Sequence, residues 1–205
     1  MNAAEHAPDH KATLHRYLKS ARDALLWKLD GLDDYDLRRP MTPTGTNLLG
    51  LVKHVALVTD GYLGEVMGRP SGLKIPGFPD DPMDAEPNAD LWVPADQSRE
   101  SIVDLHHAVA AHADATVEAL DLDAVGHVPW WGDRGEVTLQ WILVHVTTET
   151  NRHAGHADII RELIDGSVGH RQEVDNMWGE DSDDYWPRHR QRIEDAARRA
   201  RGATD

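Results

Sequence analysis

Apolar residues return at steps of three and four along the first stretch of the chain. Leu14, Leu18, Ala21, Leu25 and Leu29 form one stripe and predict an amphipathic helix over about residues 10–30. The segment from Gly31 to Thr46, which includes RRPMTPTGT, breaks the period. Thr46 is the expected N-cap of a second helix, whose stripe is Leu51, Val55, Val58 and Tyr62 and which ends at Gly68-Arg69-Pro70. Residues 70–97 are dense in proline, glycine and aspartate and hold no period, so they read as a long irregular connection of the kind that is often functional. A third helix is expected from about Ser98 to Leu120, with Ile102, Leu105, Val109 and Thr116 on one side, followed by a loop with the sequence GHVPWWGDRGEV.

The fourth predicted helix, about 137–165, carries Leu139, Ile142, Val146, Glu149, His153, His156, Ile160 and Leu163 on one seam. Ionisable groups thus interrupt an otherwise apolar stripe. A charged helix over about 185–200 completes the chain and is expected outside the core, its arginines solvated. Four long helices joined by loops imply an all-α fold, a four-helix bundle with an additional C-terminal helix. A single domain over 1–205 is expected, with its core at about 10–166 and an extension at about 167–205.

Composition narrows the chemistry. There is no cysteine, which removes disulfides, thiolate ligands and a cysteine nucleophile, so any thiol must come from a small molecule. With 36 acidic against 21 basic residues the net charge is -15, and the field repels nucleic-acid phosphates and anionic headgroups. The N-terminus lacks the apolar core of a secretory signal and no stretch is long and apolar enough to span a membrane, so a cytoplasmic protein is expected, monomer or homodimer. Seven tryptophans stand against one phenylalanine, and Trp130-Trp131 either wall a pocket at one bundle end or simply pack beneath the loop.

An ionised Glu149 in an apolar seam costs on the order of several kcal/mol unless it is paired, protonated or bound to a metal. His153, four residues on, projects from the same face and can grip the same ion. His54, beside the stripe of the second helix, supplies a third donor from a facing element. Two histidines and one glutamate leave a position open around a metal, as catalytic zinc sites do, although nickel or another first-row metal also suits the set. The competing reading is three core residues that satisfy one another. HExxH is absent, and Arg152 stands where the Glu-x-x-His of di-iron bundles would place a histidine. His145 is an alternative ligand one turn earlier, and His112 a rival that reads better as packed core. His156 fits a supporting or proton-carrying role beside the site, while His6, His10, His127, His170 and His189 read as solvated.

KHVALV around His54 and ETNRHAGHADIIRELIDG from Glu149 resemble the DinB-like superfamily of metal-binding bundles. Within it, the Glu-x-x-x-His-x-Gly-His-x-Asp run is similar to the branch of mycothiol-dependent maleylpyruvate isomerase and the mycothiol S-transferases; typical relatives have three histidines instead. The resemblance spans most of the chain. It implies that His54, Glu149 and His153 bind a divalent ion, usually zinc, and that mycothiol is the thiol co-substrate. The implied reaction is thiol attack on an electrophilic small molecule, or isomerisation through a transient thiol adduct. A metal-dependent hydrolase using water at the same position, and a metal- or ligand-binding bundle without turnover, stay open beside it.

Overall fold

The structure is a computed structural model that describes residues 9–76, 78–79, 85–172, 174–179, 182 and 184–202; His6 lies outside them. The chain is mostly helical. Helix α1 (His10–Leu26) is capped by Asp9, whose side chain accepts from the Ala12 amide, and a 3-10 turn at Trp27–Leu29 extends it. A short α2 (Asp34–Arg38) leads to α3 (Leu48–Asp60), which runs into a π-helical turn at Gly61–Glu65. After the irregular connection come α4 (Arg99–Ala119), capped by Ser98, and α5 (Leu139–Asp165), capped by Thr138. At 27 residues α5 is about 40 Å long, and it stops where Gly166 turns left-handed with φ 80°. Helix α6 (Tyr185–Gly202) closes the chain.

The cap of α3 lies one residue later than expected. Asn47, not Thr46, is extended and accepts from the Gly50 amide at 2.8 Å, while its own Nδ2 ties down the Gly45 and Leu91 carbonyls. An asparagine carboxamide both accepts and donates, so it closes the helix and the flanking loop together. The expected loop after α4 holds a small antiparallel sheet, β1 (Val125–His127) paired with β2 (Glu136–Thr138), in the register Val125↔Thr138 and His127↔Glu136. It packs against the end of the π turn, where His127 donates its amide to the Val66 carbonyl at 3.1 Å. His127 is therefore a strand residue, although its side chain is exposed as expected.

Helices α1 and α5 pack on each other, and α3 packs on both α4 and α5. Because α3 is covered on two sides, Leu48, Leu49, Val52 and Ala56 are buried along with the expected Leu51 and Val55. The apolar interior falls into two main clusters. One gathers Leu25, Leu49, Val52 and Ile160; the other gathers Leu18, Leu63, Ile142 and Val146. On α5 the first cluster begins at Ala154 and the second stops at Val146, so Glu149 and His153 occupy the turns between them. The buried seam of α5 runs through Thr150, Ala154, Ala157 and Arg161, whereas His156 and Leu163 are exposed. A 3.6-residue period drifts off the predicted three-and-four sequence over so many turns, and this rotates Leu163 to the surface.

Beyond α5 the chain folds back on α1. Trp27 Nε1 donates to the His170 carbonyl at 3.0 Å, Lys28 Nζ to the Gly169 carbonyl at 2.5 Å, and Ser20 Oγ meets His170 Nε2 at 3.0 Å. His170 is thus half-buried and bonded rather than solvated, because the segment it sits on is strapped to the bundle. Helix α6 is largely exposed, but His189 is half-buried rather than solvated, because its ring stacks on Tyr185 and meets Trp186 edge to face. No helix of the described residues is long and apolar enough to cross a membrane.

Candidate metal centre

His54 on α3 and Glu149 and His153 on α5 come together at the junction of the two apolar clusters. One donor atom from each lies within 4.8 Å of the others. Glu149 Oε1 is 2.9 Å from His153 Nε2 and 3.6 Å from His54 Nε2, and the two imidazoles meet edge to face at 4.6 Å. The imidazoles are mostly buried, at 17% and 12% side-chain exposure, and Glu149 is more open at 31%. Local geometry explains the convergence. A step of four on α5 stacks Glu149 beneath His153, and His54 lies seven residues past the α3 cap, on the side of that helix turned to α5.

A residue the sequence reading missed completes the arrangement. Asp90, in a 3-10 turn at Ala89–Leu91, accepts from His54 Nδ1 at 2.6 Å. That hydrogen bond fixes the tautomer and leaves Nε2 as a lone-pair donor aimed at the cluster, the carboxylate–histidine pairing found behind metal-bound imidazoles. Asp90 had no signal in the chain's periodicity, since it sits in an aperiodic stretch among other acids. Its one sequence correlate is Lys53-His54, a lysine placed among core positions that must contact something polar.

Burial disfavours a protonated His54, but the hydrogen bond and charge of Asp90, joined by Glu149, outweigh it and raise its pKa. At His153 burial prevails over the Glu149 hydrogen bond and the pKa falls. Burial also opposes ionisation of Glu149, yet the two imidazoles hold its carboxyl below the ordinary range. The donors fit a small divalent ion. Tetrahedral bonds of about 2.0–2.1 Å place neighbouring ligand atoms roughly 3.3 Å apart, between the two observed N–O separations.

The site opens on one side. A cavity of about 580 Å³ is lined by His153 and His156, by the apolar Leu51, Leu91 and Trp92, and by the uncharged polar residues Thr44, Thr46, Asn47 and Asn88. His156 is exposed, its Nδ1 3.4 Å from His153 Nδ1. His145 does not join the cluster; it packs between Tyr62 and Trp131 at 4.7 and 5.0 Å. His112 is half-buried and hydrogen-bonds the Arg69 carbonyl at 2.6 Å. Trp131 packs on the second apolar cluster and, with Arg134 and Trp141, borders a separate hollow of about 240 Å³, while Trp92 is the tryptophan on the cavity beside the histidines.

Among solved structures, a conserved protein from Enterococcus faecalis superposes with a TM-score of 0.61 at 20% identity, covering 78% of this chain and 100% of its own. At that identity the likeness speaks for the fold alone. No curated protein is similar enough in sequence to match. The sequence profile of the mycothiol-S-transferases, in contrast, matches residues 13–166, from the second turn of α1 to the glycine that ends α5 and through every residue of the His54, Glu149 and His153 cluster, and the chain belongs to that family.

Proposed function

We propose that the protein is a metal-dependent thiol transferase in which His54, Glu149 and His153 hold a divalent ion, zinc in first place and nickel or another first-row metal as alternatives. The observation that carries this reading is the convergence of three metal-ligating side chains, one of which, His153, also lines a cavity with no carboxylate, lysine or arginine in its wall. Membership of the mycothiol-S-transferase family supports mycothiol as the thiol. A bound ion would supply Lewis acidity, lowering the pKa of a thiol placed in its open position.

The chain's own residues do the rest. Asp90 fixes the His54 ring, and Glu149 balances positive charge at the site. Thr44, Thr46 and Asn88 suit a neutral, hydrogen-bonding thiol body whose sulfur lies toward His153. His156, exposed beside His153 in the cavity lining, would carry away the thiol proton. The thiolate then attacks an electrophilic carbon. Its S–C bond forms as a leaving group departs with the electron pair, giving a conjugate, or as a C=C π bond opens and the neighbouring carbon takes up the proton. The adduct formed in the second way can isomerise by rotation and then expel the thiol by the reverse steps. The architecture that supports this is read as one domain, with α1, α3, α4 and α5 as a four-helix bundle and α6 as an extension.

Incubation of metal-loaded protein with mycothiol or other low-molecular-weight thiols and a generic electrophile, followed by thiol loss, tests the reading. Mycothiol consumption above the protein-free rate, absent from Glu149→Ala, is expected. Equal rates with and without protein would remove the transferase.

A further inference from the structure

One face of α3 is fitted to the segment Ala89–Trp92. Asn47 Nδ2 donates to the Leu91 carbonyl at 3.3 Å. At Gly50 an added Cβ would lie 2.0 Å from that same oxygen, so only glycine allows helix and segment this close. Lys53 is 1% exposed, and its Nζ donates to the Ala89 carbonyl at 2.8 Å and the Trp92 carbonyl at 3.2 Å. His54 then reaches Asp90 between them. Residues 47, 50, 53 and 54 share a helical face, so these contacts form one continuous seam.

Burying a lysine amine is costly, and desolvation lowers its pKa against the opposing charge of Asp90. A methionine would fill the same space without that cost. What the amine adds is two hydrogen bonds to the carbonyls that flank Asp90 in sequence. We propose that Lys53 is a positioning residue for the metal centre: by gripping the backbone on both sides of Asp90 it sets the carboxylate that orients His54, and Gly50 permits the approach. The same segment presents Leu91 and Trp92 to the cavity, so Lys53 ties the orientation of a ligand imidazole to the shape of the cavity wall.

The inference rests on the metal-centre reading, and the experiment separates the two. Co2+ alone serves as the probe, titrated against a competing chelator in wild type, Asp90→Asn, Lys53→Met and the double variant, with far-UV circular dichroism as the check on folding. Asp90→Asn should weaken Co2+ binding by about 10- to 100-fold. Lys53→Met should weaken it in the same direction, and the double variant should fall well short of the product of the two, because Lys53 acts through Asp90. Wild-type affinity in Lys53→Met, or a double effect equal to the product, overturns the proposal.

A metal-free measurement decides independently. In 15N-histidine-labelled protein His54 should be locked with its proton on Nδ1, and should become a tautomer mixture in Lys53→Met and in Gly50→Ala, which displaces the same segment from a different residue. An unchanged His54 signal in both folded variants overturns the positioning role. Failure of wild type to take up Co2+ sinks the metal reading, while the tautomer result still rules on the grip of Lys53.

Discussion

Two regions of this molecule are built from the same ingredients, a carboxylate with basic side chains from neighbouring helices, and they end in opposite states. Around Asp114 on α4, His15 and Arg22 approach one oxygen at 2.8 and 2.5 Å and Lys19 the other at 3.1 Å, with Arg22 also donating to the Ala110 carbonyl. Arg161 on α5 is similar: it donates to the Lys28 and Asp30 carbonyls and to both oxygens of Asp165, whose pKa the guanidinium pulls down to about 2. In these networks donors face acceptors. At His54, Glu149 and His153 the parity differs. Asp90 has taken the Nδ1 proton of His54, so a neutral His54 turns a bare Nε2 lone pair toward the carboxylate 3.6 Å away. Acceptor facing acceptor in a half-buried site calls for a cation or an extra proton. Saturation marks a strut; at the candidate centre Glu149 pairs with His153, and it is the unpaired face between His54 Nε2 and Glu149 that suits the proposed ion.

The largest effects should break this contrast outright. His153→Ala or Glu149→Ala should abolish the bound divalent ion in protein purified without added metal, read by elemental analysis, and thiol consumption should fall to the background rate. Because either substitution also removes the hydrogen bond between His153 Nε2 and Glu149 Oε1, the metal-free variants should melt only slightly lower than the metal-free parent. Arg161→Ala should do the reverse. It strands two backbone carbonyls and a carboxylate, and with Asp165 one-third exposed the expected loss is roughly 3 kcal/mol in urea unfolding, with metal content unchanged. A metal-content loss in Arg161→Ala equal to that of His153→Ala would erase the distinction.

The sequence displayed one half of this arrangement far better than the other. Glu149 and His153 were legible because a step of four on a long amphipathic helix fixes their relation before any tertiary contact forms. The four long helices were legible for the same reason, and Asp9, Ser98 and Thr138 close three of them with ordinary side-chain caps. Asp90 was not legible, since its place depends on Lys53 and Asn47 capturing carbonyls 36 and 44 residues away in sequence. The β1–β2 hairpin escaped for another reason: each strand is three residues long, too short for an alternation to stand out, and it is held by Val66 and the π turn rather than by its own pattern. The exposure of Leu163 shows the limit of stripe reading on a helix this long, where a small error in period accumulates.

A smaller effect sharpens the boundary of the site. His156 is adjacent to His153 but belongs to neither class: it is exposed and contributes no donor to the convergent group. His156→Gln should leave metal content at the wild-type value and lower thiol-transfer turnover by about 100-fold, the lower end for a proton carrier. Loss of the ion in this variant would make His156 a ligand and redraw the site.

His106 on α4 supplies the third possibility, a buried base with no partner and no convergent donors. It is 4% exposed, both ring nitrogens lack a hydrogen-bond partner among the described residues, and burial, aided by the charge of Arg22, pushes its pKa down to about 4. The sign of its contribution follows. Unfolded, the ring binds a proton near pH 6.5; folded, it does so only near pH 4, so the unfolded state holds more protons across that interval and stability is lost as the pH falls through it. His106→Leu should therefore raise stability at neutral pH by about 1 kcal/mol, by removing unsatisfied polar atoms, and should flatten the decline between pH 6.5 and 4 in a urea-unfolding series. Metal content should not respond. An unaltered acid limb in His106→Leu would mean that the ring is solvated in solution, and that burial without a partner is not what sets its charge.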